Sequence, residues 1–596
     1  MLKNIYQCFR STNSSLLLIG LMFLLPFIVV YHHLPIPSFY AEWIAAALGL
    51  LAMLSLLKGS TWQTIHIPQV SLIFLGLAAI LGMQWMLGML QSHQYALLVL
   101  SYLVWGFFLV FLGSHLRREL GWEKIITTLA WFLVAGGAIG VIIVALQYAM
   151  QSGLSVPFLP KLTGYGAVAQ ANHFADYMAL ATTSLIYLYA KQRMSLVRFF
   201  VALVLFIALL TLSGSRSTWL YLGALTILGI ALQAVAIKQQ SGTPQKRSLV
   251  RTCLLLIPVF AIVQSILHFT GIGALGGLPS ERLFEAINHA DGLGLRWQIW
   301  LESWRMFLQS PWLGIGAGQT AWQSFLLLNT SGTAGSVGVF EHAHNLLLHL
   351  LTEMGIAAPL LVIVGIVAWI RGIQWREFTL ETWWMLGLLV VIGLHSMLDN
   401  PLWYAYFLGI AAFLLGAGEE KHHAIKLPAF GQIAGRAGLA GLMLLGAVNL
   451  GSLVVANAKL ETHLHKALKG ELSAQQETQY FTALDWVHQY SLLAPYAELM
   501  YAASITVDPA QIEDKLWVSQ AALRFMPMRK IAYQHVLLLK LSGDHAGAVQ
   551  QLRRAMRAYP GKITKEIEAM PFKYWPDYLD VLSEAMPPKL KIKSSL

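Results

Sequence analysis

The chain has 596 residues with 40 Lys and Arg against 29 Asp and Glu, a formal net charge of +11, yet only 12% of its residues are charged and 57% are hydrophobic. A soluble domain carries about 25% charged residues and a single soluble core stops growing near 250 to 300 residues, so the apolar excess must be spread along the chain as bilayer-spanning segments. The positive balance does not call for nucleic acid, because membrane proteins collect Lys and Arg in their inner loops, and the two cysteines, Cys8 and Cys253, are not expected to pair.

Apolar runs of the length a bilayer needs, about 17 to 25 residues, fall near 14–33, 39–57, 68–91, 95–113, 124–150, 172–190, 196–213, 217–236 and 249–271. After a long gap they resume near 345–370, 383–398, 403–417 and 434–456. The predicted fold is all-α, a polytopic transmembrane helix bundle of about thirteen spans. The first run follows Lys3 and Arg10 and has no small-residue cleavage site after it, Tyr31-His32-His33 being a poor one, so an uncleaved first helix is expected. With the N-terminus inside, eighteen Lys and Arg fall on inner segments, among them Lys58, Arg117, Arg118, Arg371 and Lys421. Only five, Lys161, Arg216, Arg282, Arg296 and Arg305, fall on the outer loops. That bias sets the predicted orientation, and for a bacterial inner membrane the outer loops face the periplasm.

The gap in the hydropathy pattern, from about 272 to 344, is rich in Gly and Trp. Loops of this length in compact proteins are functional or disordered, and Trp297, Trp300, Trp304, Trp312 and Trp322 predict structure lying at the membrane interface. From 457 onward the chain is polar and periodic, and Pro495, Pro527 and Pro560 recur at spacings of 32 and 33, close to the tetratricopeptide period. The expected organisation is a transmembrane domain over 1–456, including the 272–344 loop, and a C-terminal periplasmic helical, tetratricopeptide-like domain over 457–596. Its concave surface would receive an acceptor segment or a partner.

Residues able to do chemistry collect on the outer side. Glu341, His342, His344, His349 and Glu353 lie where the long loop meets the tenth span. An imidazole with an ordinary pKa near 6.5 can take and return a proton at neutral pH, although a histidine can equally cap a helix. His342 and His344 form a His-x-His that could chelate, but no Asp-x-Asp or His-Glu-x-x-His pattern accompanies it, so neither metal nor cofactor is expected. Arg216 sits in a Ser-Gly-Ser-Arg-Ser turn and Arg296 in the long loop. Charges at membrane depth are costly, and a planar fork that stays protonated suits a diphosphate. Small neighbours let backbone N–H groups approach the same anion; the alternative is a snorkelling anchor. Gln170, Asn172, His173 and Asp176 open the sixth span, and His395, Asp399, Trp403, Tyr404 and Tyr406 lie between the eleventh and twelfth. An aromatic belt accounts for the Trp and Tyr taken singly, but not for four polar groups sharing one leaflet. A transporter would place ionisable groups at the bilayer midplane, where this sequence is apolar.

His344-Asn345 followed by nine residues and Gly355 is similar to the His-Asn-x9-Gly signature of the O-antigen ligase (WaaL-like) and PglL-type protein O-oligosaccharyltransferase family. Arg216 and Arg296 resemble that family's two diphosphate-contacting arginines, and Gln170 and Tyr404 occupy places similar to a Gln and a Tyr of the protein-glycosylating branch, with Tyr406 the alternative register. The likeness covers about residues 160 to 410. It implies metal-independent transfer of an oligosaccharide from an undecaprenyl-diphosphate carrier, held in membrane lipid, to Ser or Thr hydroxyls of an acceptor protein such as a pilin. His344, or His342 in its place, would be the base, with Tyr404 beside it. Arg216, Arg296, Gln170, Asn172, Asn345 and Asp399 would bind substrate, and the Trp-rich 297–322 segment would cover a groove for the lipid tail. The terminal domain resembles the protein-glycosylating branch; an O-antigen ligase or polymerase acting on a sugar hydroxyl is the alternative.

Overall fold

The computed structural model describes residues 11–157, 159, 166–168, 170–272, 277–282, 291–328, 338–561, 563 and 572–586. Lys3, Cys8, Arg10 and Lys161 lie outside them. Helices α1 (Thr12–Met22), α2 (Phe39–Ala52), α3 (Leu72–Met86), α4 (His93–Leu120), α5 (Trp122–Gln151), α6 (Ala171–Ala190), α7 (Leu196–Leu212), α8 (Ser217–Lys238) and α9 (Pro244–Thr270) precede the long loop. The loop carries α10 (Asp291–Gln309) and α11 (Thr320–Leu327). After it come α12 (Leu346–Met354), α13 (Ala357–Gly372), α14 (Leu380–Ser396), α15 (Ala405–Gly418) and α16 (Ala429–Glu461). Several start where a hydroxyl takes up an orphan N–H of the first turn: Ser11, Ser92, Thr243 and Thr379 each accept from the residue three further on.

Among the described residues, seven helical stretches are long and apolar enough to cross a membrane and five shorter apolar ones accompany them, so the chain is a multi-pass membrane protein. In lipid there is little hydrophobic drive between helices, and close backbone approach replaces it. Helices α4 and α15 meet in this way: a Cβ on Gly416 would stand 1.8 Å from the Val110 carbonyl oxygen, and one on Gly113 would stand 2.2 Å from that of Phe413. Strands β1 (Thr64–Pro68) and β2 (His422–Lys426) pair antiparallel and tie the α2–α3 link to the α15–α16 link.

One expected span is not continuous. The run at 345–370 is divided into α12 and α13 at Gly355, whose φ of 73° is in the left-handed region. The cause is close packing: a Cβ on Gly355 would lie 2.2 Å from the Trp312 carbonyl oxygen, and Ile356 N–H donates to Pro311 O at 2.9 Å. The loop backbone thus wedges into the break.

Helix α16 continues past the expected boundary at 457 to Glu461, and Leu453, Ala456 and Leu460 pack against Tyr480, Leu484 and Val487. A short α17 (Leu464–Lys469) leads into α18 (Ala474–Tyr490), α19 (Ala494–Ser504), α20 (Ile512–Phe525), α21 (Arg529–Leu541), α22 (His545–Ala558) and α23 (Trp575–Ala585). Pro495 falls in the first turn of α19, while Pro527 and Pro560 follow the ends of α20 and α22, where a residue without an N–H is tolerated. Trp322 departs from expectation. With Phe325 and Leu328 it is buried in the apolar core of the terminal domain beside Leu523, Ile531 and Leu552, not at the membrane interface. Arg557 fastens the same segment by donating to the Leu328 carbonyl at 2.5 Å.

Candidate functional site

Four separated pieces of chain meet at the ends of α6, α8, α12 and α14. Asn172, in the first turn of α6, points its side chain two ways: the amide NH2 donates to Asp399 Oδ2 at 3.1 Å, and the amide oxygen accepts from Ser215 Oγ at 2.8 Å. Ser215 and Arg216 form the turn between α7 and α8. That turn bends at Gly214, with a φ of 65°, and is held from the loop by Arg282, whose Nη1 donates to the Gly214 carbonyl at 2.9 Å. Asp399, just beyond α14, places its other oxygen 3.3 Å from His344 Nδ1. A line of contacts therefore runs from the arginine turn through Ser215, Asn172 and Asp399 to the His344 ring.

His344 itself has a left-handed backbone, with φ 49°. Such a conformation is costly for a residue with a Cβ and persists only where the surroundings enforce it. Two neighbours do so. Trp300 Nε1 of α10 donates to the Ala343 carbonyl at 3.0 Å, and the Asn345 side chain caps α12 by accepting from Leu348 N at 3.1 Å. The His344 side chain stays 37% exposed while that of Asp399 is 9% exposed. With Nδ1 turned to the carboxylate, Nε2 has no hydrogen-bond partner among the described residues. Burial alone would raise the Asp399 carboxyl, but His344, His395 and Asn172 outweigh it and hold the group far below the ordinary carboxylate range. Asp399 is thus an ionised orienting group.

Beneath this pair lies a second one. His395 Nδ1 is hydrogen-bonded to Asp176 Oδ2, both side chains being fully buried, and His395 Nε2 lies 3.6 Å from Asp399 Oδ2. His173 Nδ1 meets Tyr406 Oη at 3.2 Å, and the His173 ring stands edge-on to Tyr404 at 4.6 Å between centroids. Burial holds the Tyr404 phenol up at about 12, so it is a neutral donor.

The cations gather beside the turn. Burial, and then the charges of Arg296 and Arg282, lower the Arg216 guanidinium from its ordinary value. Among the described residues none of these three arginines forms an ion pair with a carboxylate. Guanidinium groups held together without a carboxylate form a natural anion site. An apolar cavity of about 1240 Å³ is lined by residues that include Ala317 and Gly318 of the loop, His349, Trp403, Leu77, Trp105 and Leu408.

Of the residues singled out from sequence, His344, Asn172 and Asp399 are joined directly, and Arg216 and Arg296 stand together. Asp399, expected to contact substrate, is hydrogen-bonded to His344 and Asn172. Asn345 spends its side-chain oxygen on a helix cap. Gln170 precedes α6 without a side-chain cap bond, and its backbone carbonyl accepts from Phe174 N at 3.0 Å. His342 turns away from the pair: its ring packs edge-on to His349 and Trp403, its Nδ1 is buried without a partner among the described residues, and burial, then the nearby His349, lower it to about 3. Ser215 and Arg282 went unread as site residues. Asp176 and His395 carried a usable signal, since Asn172/Asp176 and His395/Asp399 are each four apart and so share a face of a helical turn.

Residues 178–363 match the O-antigen ligase family, and residues 383–569 match the family described as virulence factor membrane-bound polymerase, C-terminal. The chain is 27% identical over 406 residues to the General O-oligosaccharyltransferase of Acinetobacter baylyi, covering 67% of this chain and 69% of that protein. It is 22% identical over 412 residues to the ComP-specific O-oligosaccharyltransferase of the same organism, covering 68% and 72%. Arg216, Arg296 and His344 fall inside the first family match and His395 and Asp399 inside the second, so the His344–Asp399 contact joins the two matched regions. These matches make the chain similar to membrane-bound O-antigen ligases and O-oligosaccharyltransferases.

Proposed function

We propose that the protein transfers an oligosaccharide from an undecaprenyl-diphosphate carrier to a Ser or Thr hydroxyl of an acceptor protein on the periplasmic side of a bacterial inner membrane. One observation carries this reading: a partly exposed imidazole, bonded to a carboxylate through one nitrogen, is linked through Asp399, Asn172 and Ser215 to the turn of Arg216, whose charge is felt with those of Arg296 and Arg282 and which, like them, lacks a carboxylate partner among the described residues. The names of the two relatives, both O-oligosaccharyltransferases, support the acceptor class.

In this mechanism His344 Nε2 takes the acceptor hydroxyl proton as the oxygen attacks the anomeric carbon. The bond from that carbon to the diphosphate oxygen breaks, and its electron pair leaves with the diphosphate. Arg216 and Arg296 neutralise the charge that develops there. Asp399 keeps the proton on Nδ1, so that Nε2 is the basic atom, and steadies the imidazolium that forms. The 1240 Å³ cavity is large and apolar enough to take part of the carrier's tail.

Purified protein in lipid nanodiscs, given undecaprenyl-diphosphate-linked glycan and either a pilin-like protein or lipid A core, tests the reading. Glycosylated protein is expected. Transfer to lipid A core alone would assign the chain to the ligase side of its family.

A further inference from the structure

Helix α10 has three faces. Ile299, Glu302, Ser303, Met306 and Phe307 are buried, while Gln298, Arg305 and Gln309 are exposed and polar. Between them runs a second exposed strip: Trp297, Leu301, Trp304 and Leu308, at positions i, i+4, i+7 and i+11. Four large apolar side chains in a row on an outer surface are expensive in water, and they lie along about 16 Å of helix. Arg296 does not share this strip. It lies with Ile299, Ser303 and Phe307, at i+3, i+7 and i+11, on the inward side from which its charge reaches Arg216.

The strip does not end in water. Beyond it Trp312 is exposed, and this residue is the one whose carbonyl abuts Gly355, next to the Pro311–Ile356 hydrogen bond. Ile356 starts the exposed apolar row of α13, which continues through Leu360, Ile363, Val364 and Val367. Row and strip are thus joined through the 311–312 backbone, and the row belongs to one of the apolar helices of the membrane bundle.

We infer that α10 lies in the outer lipid leaflet, with Trp297, Leu301, Trp304 and Leu308 sunk among the acyl chains and Gln298, Arg305 and Gln309 facing water. An interfacial amphipathic helix with tryptophans on its apolar face has this form. The bilayer then acts as the bed on which α10 rests, and Arg296, on the opposite edge, is held near headgroup depth. That last step rests on the reading that Arg296 contacts the donor diphosphate, which must itself sit at headgroup depth because its tail is in the membrane.

The test uses full-length protein lacking Cys8 and Cys253, in nanodiscs of phosphatidylethanolamine and phosphatidylglycerol, with a nitroxide at Leu301→Cys, Trp304→Cys, Gln298→Cys or Arg305→Cys. Labels at 301 and 304 should collide mainly with oxygen, and labels at 298 and 305 mainly with an aqueous nickel chelate. Equal access of nickel to all four overturns the inference, and so does exclusion of both reagents from 301 and 304, which would mean that protein covers the strip. Because depth is read without any transfer, failure of the proposed function leaves this result standing. In a second arm, Leu301→Ser with Trp304→Ser should raise the KM for lipid-linked donor about tenfold with kcat little changed. A fall in kcat alone would break the link to Arg296 while leaving the docking intact.

Discussion

Two histidine–carboxylate pairs stand within a few residues of each other, and they do different work. In the first, His344 faces Asp399 and keeps one nitrogen open to solvent. In the second, His349 Nε2 lies 3.4 Å from Glu353 Oε2, with side chains only 4% and 11% exposed. Glu353 also accepts from Gly318 N, Thr320 N and Thr320 Oγ1, and its backbone carbonyl accepts from Gln84 Nε2. The buried pair is a staple that binds the loop to α12. The pairing of groups is the same in both, so it is exposure and the nitrogen without a partner among the described residues that set the proposed reacting pair apart from the buried one.

The comparison can be broken most directly at His344. His344→Ala is expected to lower transfer about 100- to 10,000-fold with an unchanged melting temperature; a rate within about threefold of the parent would remove His344 as the base. Asp399→Asn should also lower the rate, by up to about 10,000-fold, by favouring the wrong tautomer. A pH–rate profile with the parent's shape and height would contradict the orienting role. At the staple the pattern should invert. Glu353→Ala leaves buried N–H groups unpaired, at about 1 to 3 kcal/mol, so the melting temperature in detergent should fall while the rate per folded molecule changes far less than at His344.

His342 sharpens the comparison with the smallest effect. Its imidazole is lowered to about 3 from 6.5, so it is neutral at pH 7 in the folded protein. Between those two values the unfolded chain binds the extra proton, and folded stability therefore falls as pH drops from about 6.5 towards 3. His342→Gln should flatten part of that acid-side decline in melting temperature and change transfer at pH 7 less than about threefold. A loss of transfer comparable to that of His344→Ala would reinstate His342 as the base.

Much of this was legible in the chain itself. Apolar runs marked the helices because the bilayer sets their length, and the scarcity of outer arginines drew attention to Arg216 and Arg296. The break at Gly355 was not legible, since hydropathy is blind to a backbone wedge from residues 311–312. Nor was the partner of Asp399, because sequence spacing does not bring residue 399 to within 3.3 Å of His344 Nδ1. Trp322 was misplaced for a related reason: tryptophan suits both a lipid headgroup layer and a protein core, and composition does not separate them.

Helix α11 makes the terminal domain a discontinuous unit. Its buried face is supplied in part by Trp322, Phe325 and Leu328, from the middle of the chain, more than a hundred residues before α18 begins. Removing 457–596 would strip the cover from these three side chains and disturb the loop that carries His344, so such a truncation cannot isolate acceptor recognition. Grafting the tail of one relative onto the bundle of another should give a folded protein only when residues 320–328 travel with it, because that short insert supplies part of the tail's core.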